Sequence, residues 1–184
     1  LYSSAASDVY KRQKFDDEFE LGLEHGILHP SPEAELPHGS EVGRLRRLDE
    51  ALGRYIVFAK TAFPAGMTLE GLRVAVDCAN GAAYKVAPTA LEELGAEVVA
   101  VGTTPNGANI NDGVGSLYPE NLGAVVREYD CHVGLCLDGD ADRLIVVDES
   151  GESVDGDQLM AINALRLLDE GRLARNTLVS TVMS

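Results

Sequence analysis

Residues 131–149 read CHVGLCLDGDADRLIVVDE, and this stretch decides the fold. CHVGLCLD (131–138) is a nearly continuous apolar strand, the kind of run that implies burial on both faces in a parallel sheet covered by helices. Three aspartates then alternate at Asp138, Asp140 and Asp142, separated by Gly139 and Ala141. LIVVDE (144–149) is a second strand. The carboxylates therefore sit at the C-terminal end of a buried strand, where open α/β sheets bind their ligands.

The same logic extends outward. Upstream, LRVAVD (72–77) is a strand running into Cys78-Ala79-Asn80-Gly81, a tight turn before a helix. That helix is expected over about 83–94, closed by Gly95, with Pro88 in its first turns or kinking it. AEVVAVG (96–102) is the next strand, residues 103–118 form a long Gly/Asn loop, and PENLGAVVREY begins a helix with Pro119 near its first position. Downstream, Ser150-Gly151 makes a turn and a helix runs from Asp155 or Gly156 to about Glu170. The second acidic triplet, Asp155-Gly156-Asp157, is read as that helix's cap. NTLVSTV is expected to be a last strand. The order β-α-β-α-β-β, then α-β, defines an α/β fold with a mixed, mostly parallel sheet and helices on both faces.

Toward the N-terminus, Leu48, Leu52, Ile56, Ala59 and Phe63 keep a helical period that Pro64 and Gly66 end. Phe15, Phe19 and Leu23 share one face of an acidic helix over 14–25. Between these, residues 26–40 carry three of the seven prolines and read as a linker. His25, His29 and His38 cluster around it and are expected to be solvated rather than metal-bound. Residues 1–13, LYSSAASDVYKRQ, have no useful period and are read as a non-native leader.

The chain has 184 residues and carries a formal charge of −15, from 30 acidic against 15 basic side chains. Nucleic acid and anionic membrane surfaces both require a basic face, so neither is an expected partner. No apolar run approaches the roughly 18 residues of a membrane-spanning helix. Cys78, Cys131 and Cys136 fit no zinc spacing and read as small buried hydrophobes in a reducing compartment, so a cytoplasmic protein is expected.

Small residues between Asp138, Asp140 and Asp142 let the backbone curl, so the three carboxylates converge. Converging carboxylates repel, and without a cation at least one must have a raised pKa. An all-oxygen donor set suits Mg²⁺, Mn²⁺ or Ca²⁺ rather than Zn²⁺. Three monodentate ligands leave positions open for water or a phosphate oxygen, as a catalytic site requires. An EF-hand loop is a rival, because Glu149 falls at the twelfth position, but Arg143 stands at the sixth, where glycine is needed. A phosphatase using the first aspartate as nucleophile is another. Arg143 fits either a phosphate contact or an ion pair with its neighbours.

The DGDADR loop resembles the metal-binding loop of the α-D-phosphohexomutase superfamily. LRVAVDCANGAAYKVAP, LEELGAEVV, PNGANIN and VDGDQLM, in that order, are similar to its glucosamine branch. The resemblance covers residue 14 to the end and implies a piece of a four-domain enzyme. Residues 14–42 would be the tail of domain 1 and a linker, 43–152 domain 2 with the metal loop, and 153–184 the truncated start of domain 3. It implies a phosphorylated amino sugar as substrate, interconverted between glucosamine 6-phosphate and glucosamine 1-phosphate. The route would be a phosphoserine and a glucosamine bisphosphate intermediate, with Mg²⁺ held by Asp138, Asp140 and Asp142 and Arg143 at a phosphate or the phosphoserine. The nucleophilic serine is not present in this chain: the family's Ser-His-Asn-Pro motif is missing, as are the sugar-recognition and phosphate-binding loops of its later domains. The 184 residues alone are therefore expected to be inactive. The alternatives are a phosphomannomutase or phosphoglucomutase of the same superfamily, or a non-catalytic cation-binding module.

Overall fold

The structure, a computed structural model, describes residues 7–8, 13–29 and 38–181. It divides into two compact units, Leu1–Arg47 and Leu48–Ser184.

In the first unit, two-residue strands β1 (Ser7–Asp8) and β2 (Gln13–Lys14) pair antiparallel. The rest of the expected leader lies outside the described residues. Helix α1 spans Asp17–Leu28, later at both ends than the sequence suggested. Asp16 sets its start by accepting the Phe19 N–H at 2.9 Å, an N-cap bond that satisfies an otherwise orphaned donor. The Phe15 and Phe19 rings pack at 4.7 Å between centroids. Helix α1 absorbs residues 26–28 of the expected linker, and 30–37 lie outside the described residues. Among the described residues His25, His29 and His38 join no cluster of potential metal ligands.

The second unit opens with α2 (Ala51–Lys60), in which Ile56 is buried while Leu48 and Leu52 of the same expected face are exposed. Next come β3 (Arg73–Asp77), α3 (Val86–Glu93), β4 (Glu97–Val101), α4 (Pro119–Glu128), β5 (Val133–Leu137), β6 (Leu144–Val147), β7 (Ser153–Val154) and α5 (Gly156–Asp169). Lys60 pairs with Glu93, linking α2 to α3. Pro88 is the third residue of α3, where a missing N–H costs nothing because first-turn donors lack helical acceptors, and the helix is not kinked.

The sheet order is β4-β3-β5-β6-β7. Strand β3 pairs parallel with both β4 and β5, placing Asp77 opposite Val101 on one side and Cys136 on the other. The β5–β6 and β6–β7 pairings are antiparallel. From β3 the chain crosses one way to β4 and then back past β3 to β5. Right-handed crossovers in opposite directions place α3 and α4 on opposite faces. Strand β3 lies between β4 and β5, and the loops after β3, β4 and β5 gather at the C-terminal end of the parallel strands. The core packs Leu122 and Val126 of α4 against Ala75, Cys136 and Val147, with Cys131 beside them.

Two expectations are corrected. The strand buried on both faces is β3, with Val74 through Asp77 all buried, whereas in β5 only Gly134 and Cys136 are fully buried and Val133, Leu135 and Leu137 are half-buried. Helix α4 covers one face of β5, while α3 packs over β4 instead. NTLVSTV is not a strand: Asn176 ends a 3-10 turn, residues 177–181 are irregular, and Val179 is exposed. A strand is stabilised by its ladder, and this segment has no pairing partner among the described residues. Its last residue, Val182, lies outside them.

Candidate metal centre

Asp138 follows the last residue of β5, at the same end of the parallel strands as Asp77 and Val101. Its carboxylate is 2% exposed. One oxygen accepts the Arg143 backbone N–H at 3.0 Å and the other the Arg143 Nε at 2.7 Å. Burial pushes the Asp138 carboxyl up, but these hydrogen bonds and the guanidinium charge outweigh it and hold the group below its usual range. Asp140 and Asp142 project into solvent, and each of the three aspartates offers one oxygen within 4.8 Å of the others. The negative charges of Asp140 and then Asp138 push Asp142 up, the electrostatic conflict expected of this spacing.

The donor set suits a hard divalent cation. Its oxygens lie within 4.8 Å of one another, close to the ~3–4 Å separating neighbouring ligands around an ion bound at ~2.1–2.4 Å. Asp140 and Asp142, both exposed, have room to turn inward while Arg143 fixes Asp138. The ion pair expected of Arg143 is present. Its Nε is committed to Asp138 and stands 3.7 Å from Asp142. Its terminal Nη groups make no hydrogen bond among the described residues, and its side chain is 66% exposed. The guanidinium can thus brace Asp138 and still present two amino groups to an anion.

The sequence did not single out the residues behind the loop. The Gly139 carbonyl accepts the Ala82 N–H at 2.8 Å. A Cβ on Gly81 would overlap that carbonyl, approaching its carbon to 2.7 Å, so the close approach of the two backbones requires glycine. On the other side Ile110 and Asn111, from the Gly/Asn loop, lie against Gly139. That loop is pinned by asparagines. Asn80 accepts from Thr104 N–H at 3.1 Å, Asn109 from Asn106 N–H at 2.9 Å, and Asn121 donates to Gly113 at 2.9 Å. The backbone of Gly139 is therefore held from two sides, and the tight Asn-Gly turn after β3 is part of that grip.

Cys78 and Cys136 lie in the strand layer beneath the site. Burial, with a smaller contribution from the Asp77 charge, pushes both thiols up to about 12. They stay protonated and behave as the inert hydrophobes their sequence context suggested.

The molecule is thus a mixed five-stranded sheet with a cluster of three carboxylates at the C-terminal end of an inner strand. Residues 54–151, more than half of the chain, match the family described as phosphoglucomutase/phosphomannomutase, alpha/beta/alpha domain II, and the chain belongs to that family. The phosphoglucosamine mutase of Syntrophotalea carbinolica is 57% identical over 171 residues, 93% of this chain and 37% of the relative. Those of Nitratidesulfovibrio vulgaris and Geotalea uraniireducens are 56% and 53% identical over the same 93% of this chain and 38% of theirs. Among solved structures, a phosphoglucomutase/phosphomannomutase family protein from Burkholderia thailandensis superposes with a TM-score of 0.56 at 26% identity, covering 85% of this chain and 33% of that one. The chain thus spans less than two fifths of the length of the curated relatives it matches.

Proposed function

We propose that the chain is the metal-bearing part of a phosphoglucosamine mutase, acting in the cytoplasm on glucosamine 6-phosphate and glucosamine 1-phosphate. The observation that carries this reading is the identity of 57% over 93% of the chain to a protein of that name, with the carboxylate cluster formed as such an enzyme would need it. Residues 14–42 would close a first domain, 43–152 form the second, and 153–184 open a third.

Asp138, Asp140 and Asp142 would hold Mg²⁺. The ion, when bound, offsets negative charge on a phosphoryl group in transfer. Arg143 would keep Asp138 ionised and in place, and its exposed Nη groups would bind a phosphoryl oxygen. The phosphoryl group itself would pass between a serine outside these residues and the sugar, through a glucosamine bisphosphate that reorients between the two half-reactions. No Ser-His-Asn-Pro motif occurs among the 184 residues, so these alone are expected to show no turnover.

Two experiments test the proposal. Sequencing the coding region upstream should reveal Ser-His-Asn-Pro, and an upstream reading frame without it contradicts the mutase. Replacing the matching 171 residues of the Syntrophotalea carbinolica enzyme with those of this chain should give a protein that interconverts the two glucosamine phosphates. A folded but inactive chimera that still binds divalent cations would instead favour a cation-binding module.

A further inference from the structure

We propose that Asp77 is a positioning residue that sets the geometry of the Asp138–Asp142 loop by anchoring the two segments that clamp Gly139. Asp77 ends β3, the strand between β4 and β5, and is 1% exposed. A buried carboxylate is costly unless its oxygens are bonded. Among the described residues its hydrogen-bond partners are backbone donors, the Ala79 N–H at 2.8 Å and the Gly115 N–H at 2.7 Å. These belong to different segments. Ala79 lies in the turn after β3, and Gly115 in the 3-10 turn (Gly115–Leu117) that closes the Gly/Asn loop.

Both segments close on one peptide. The first turn delivers the Ala82 N–H to the Gly139 carbonyl. The Gly/Asn loop sets Ile110 and Asn111 against Gly139 from the other side, and the Asn111 N–H donates to the Ala79 carbonyl at 2.9 Å, joining the two. The turn is held in an unfavourable conformation, with the non-glycine residues Ala79 and Asn80 at φ +53° and +50°. Such geometry persists where the surroundings over-determine it, and the Asp77 carboxylate on Ala79 N–H supplies one constraint. Gly139 lies between Asp138 and Asp140, so fixing its peptide fixes the spacing of two proposed ligands. Residues in this supporting position around metal sites commonly govern affinity without touching the ion.

This inference rests on the metal reading of the loop, and the test separates the two. Asp77→Asn turns one acceptor oxygen into a donor facing an N–H. Gly81→Ala leaves the carboxylate intact and displaces the Gly139 carbonyl directly. Val74→Ala, elsewhere in β3, is the control for general destabilisation. In the 184-residue chain, Mn²⁺ affinity is read by electron paramagnetic resonance, Ala82 amide protection by hydrogen exchange, and stability by metal-free thermal unfolding. Asp77→Asn and Gly81→Ala should each weaken Mn²⁺ binding roughly 10- to 100-fold and expose the Ala82 amide, relative to Val74→Ala at comparable loss of stability. Equal effects from Asp77→Asn and Val74→Ala overturn the proposal. If Asp77→Asn fails to fold, unchanged Mn²⁺ affinity in Gly81→Ala overturns it. If the unaltered chain binds no Mn²⁺, the metal reading fails, and Ala82 protection in Asp77→Asn alone decides the positioning role.

Discussion

The chain contains two Asp-Gly-Asp triplets, 138–140 and 155–157, with the same composition and opposite structural fates. In the second, Asp155 is the N-cap of α5. Its carboxylate accepts the Asp157 N–H at 2.7 Å while Gln158 returns a bond to the Asp155 N–H at 3.1 Å. This capping box consumes the carboxylate locally, and Gly156 has open space around it. In the first triplet no helix follows to take up the charge. Gly139 is pressed between two loops, Asp138 is buried against Arg143, and Asp140 faces solvent beside Asp142. What separates a cap from the proposed cation site is the element that follows and the packing on the central glycine, not the acidic residues.

The comparison can be broken most forcefully by charge removal. In the chimeric enzyme, Asp140→Asn is expected to lower turnover by at least ~100-fold, the scale of losing a stabiliser of transferring charge. Asp157→Asn in the same protein should leave turnover within about twofold, because a helix first-turn charge contributes only a few tenths to 1 kcal/mol to stability. Steady-state assays of both variants check this, and equal losses erase the distinction.

The cap itself gives the next effect. Asp155→Ala should cost about 1 kcal/mol in urea unfolding through loss of the N-cap bond, with divalent-cation affinity unchanged. The glycines then sharpen the contrast in packing. Gly139→Ala would bring a Cβ to 2.6 Å from Ile110 Cδ1 and 3.0 Å from Asn111 Nδ2. Ile110 is half exposed and can move aside, so a loss near the ~1 kcal/mol lower limit of overpacking is expected. Gly156→Ala meets nothing within 4 Å and should be neutral or stabilising by ~0.4–1 kcal/mol. Chemical denaturation of the pair measures both signs.

The smallest effect is electrostatic. Repulsion from Asp140 and Asp138 raises the Asp142 carboxyl in the folded chain above its unfolded value. An acid shifted upward favours the fold when protonated, and that contribution is lost as pH rises through its folded pKa. Asp142→Asn should therefore slightly stabilise the metal-free chain at neutral pH. The advantage should fade as pH falls through the carboxylate range, while cation affinity drops. Thermal melts across pH without metal test the sign. Asp138 has the opposite linkage. Its lowered carboxyl contributes stability above the unfolded pKa, and that contribution is lost as pH falls through the folded one.

Much of this was legible in sequence. CHVGLCLD and LIVVDE flank the acidic loop as strands, Pro119 opens α4, and Asp155 caps α5, because each is encoded within a few neighbouring residues. What escaped depends on partners distant in sequence. Strand β7 has two residues, too few for any period, and exists through its pairing with β6. NTLVSTV has strand composition but no partner among the described residues. Asp77 looked like an ordinary strand end, since its second acceptor bond comes from Gly115, which is 38 residues away. An Asn-Gly turn followed by a long Asn-rich loop was the only available signal that two segments meet behind the acidic turn.

Titrating the 184-residue chain with Mn²⁺ under electron paramagnetic resonance asks whether Asp138, Asp140 and Asp142 form one divalent-cation site. One saturable site is expected, displaced by Mg²⁺, abolished by Asp140→Asn and untouched by Asp157→Asn. Absence of saturable binding, or a site that survives Asp140→Asn, would contradict it.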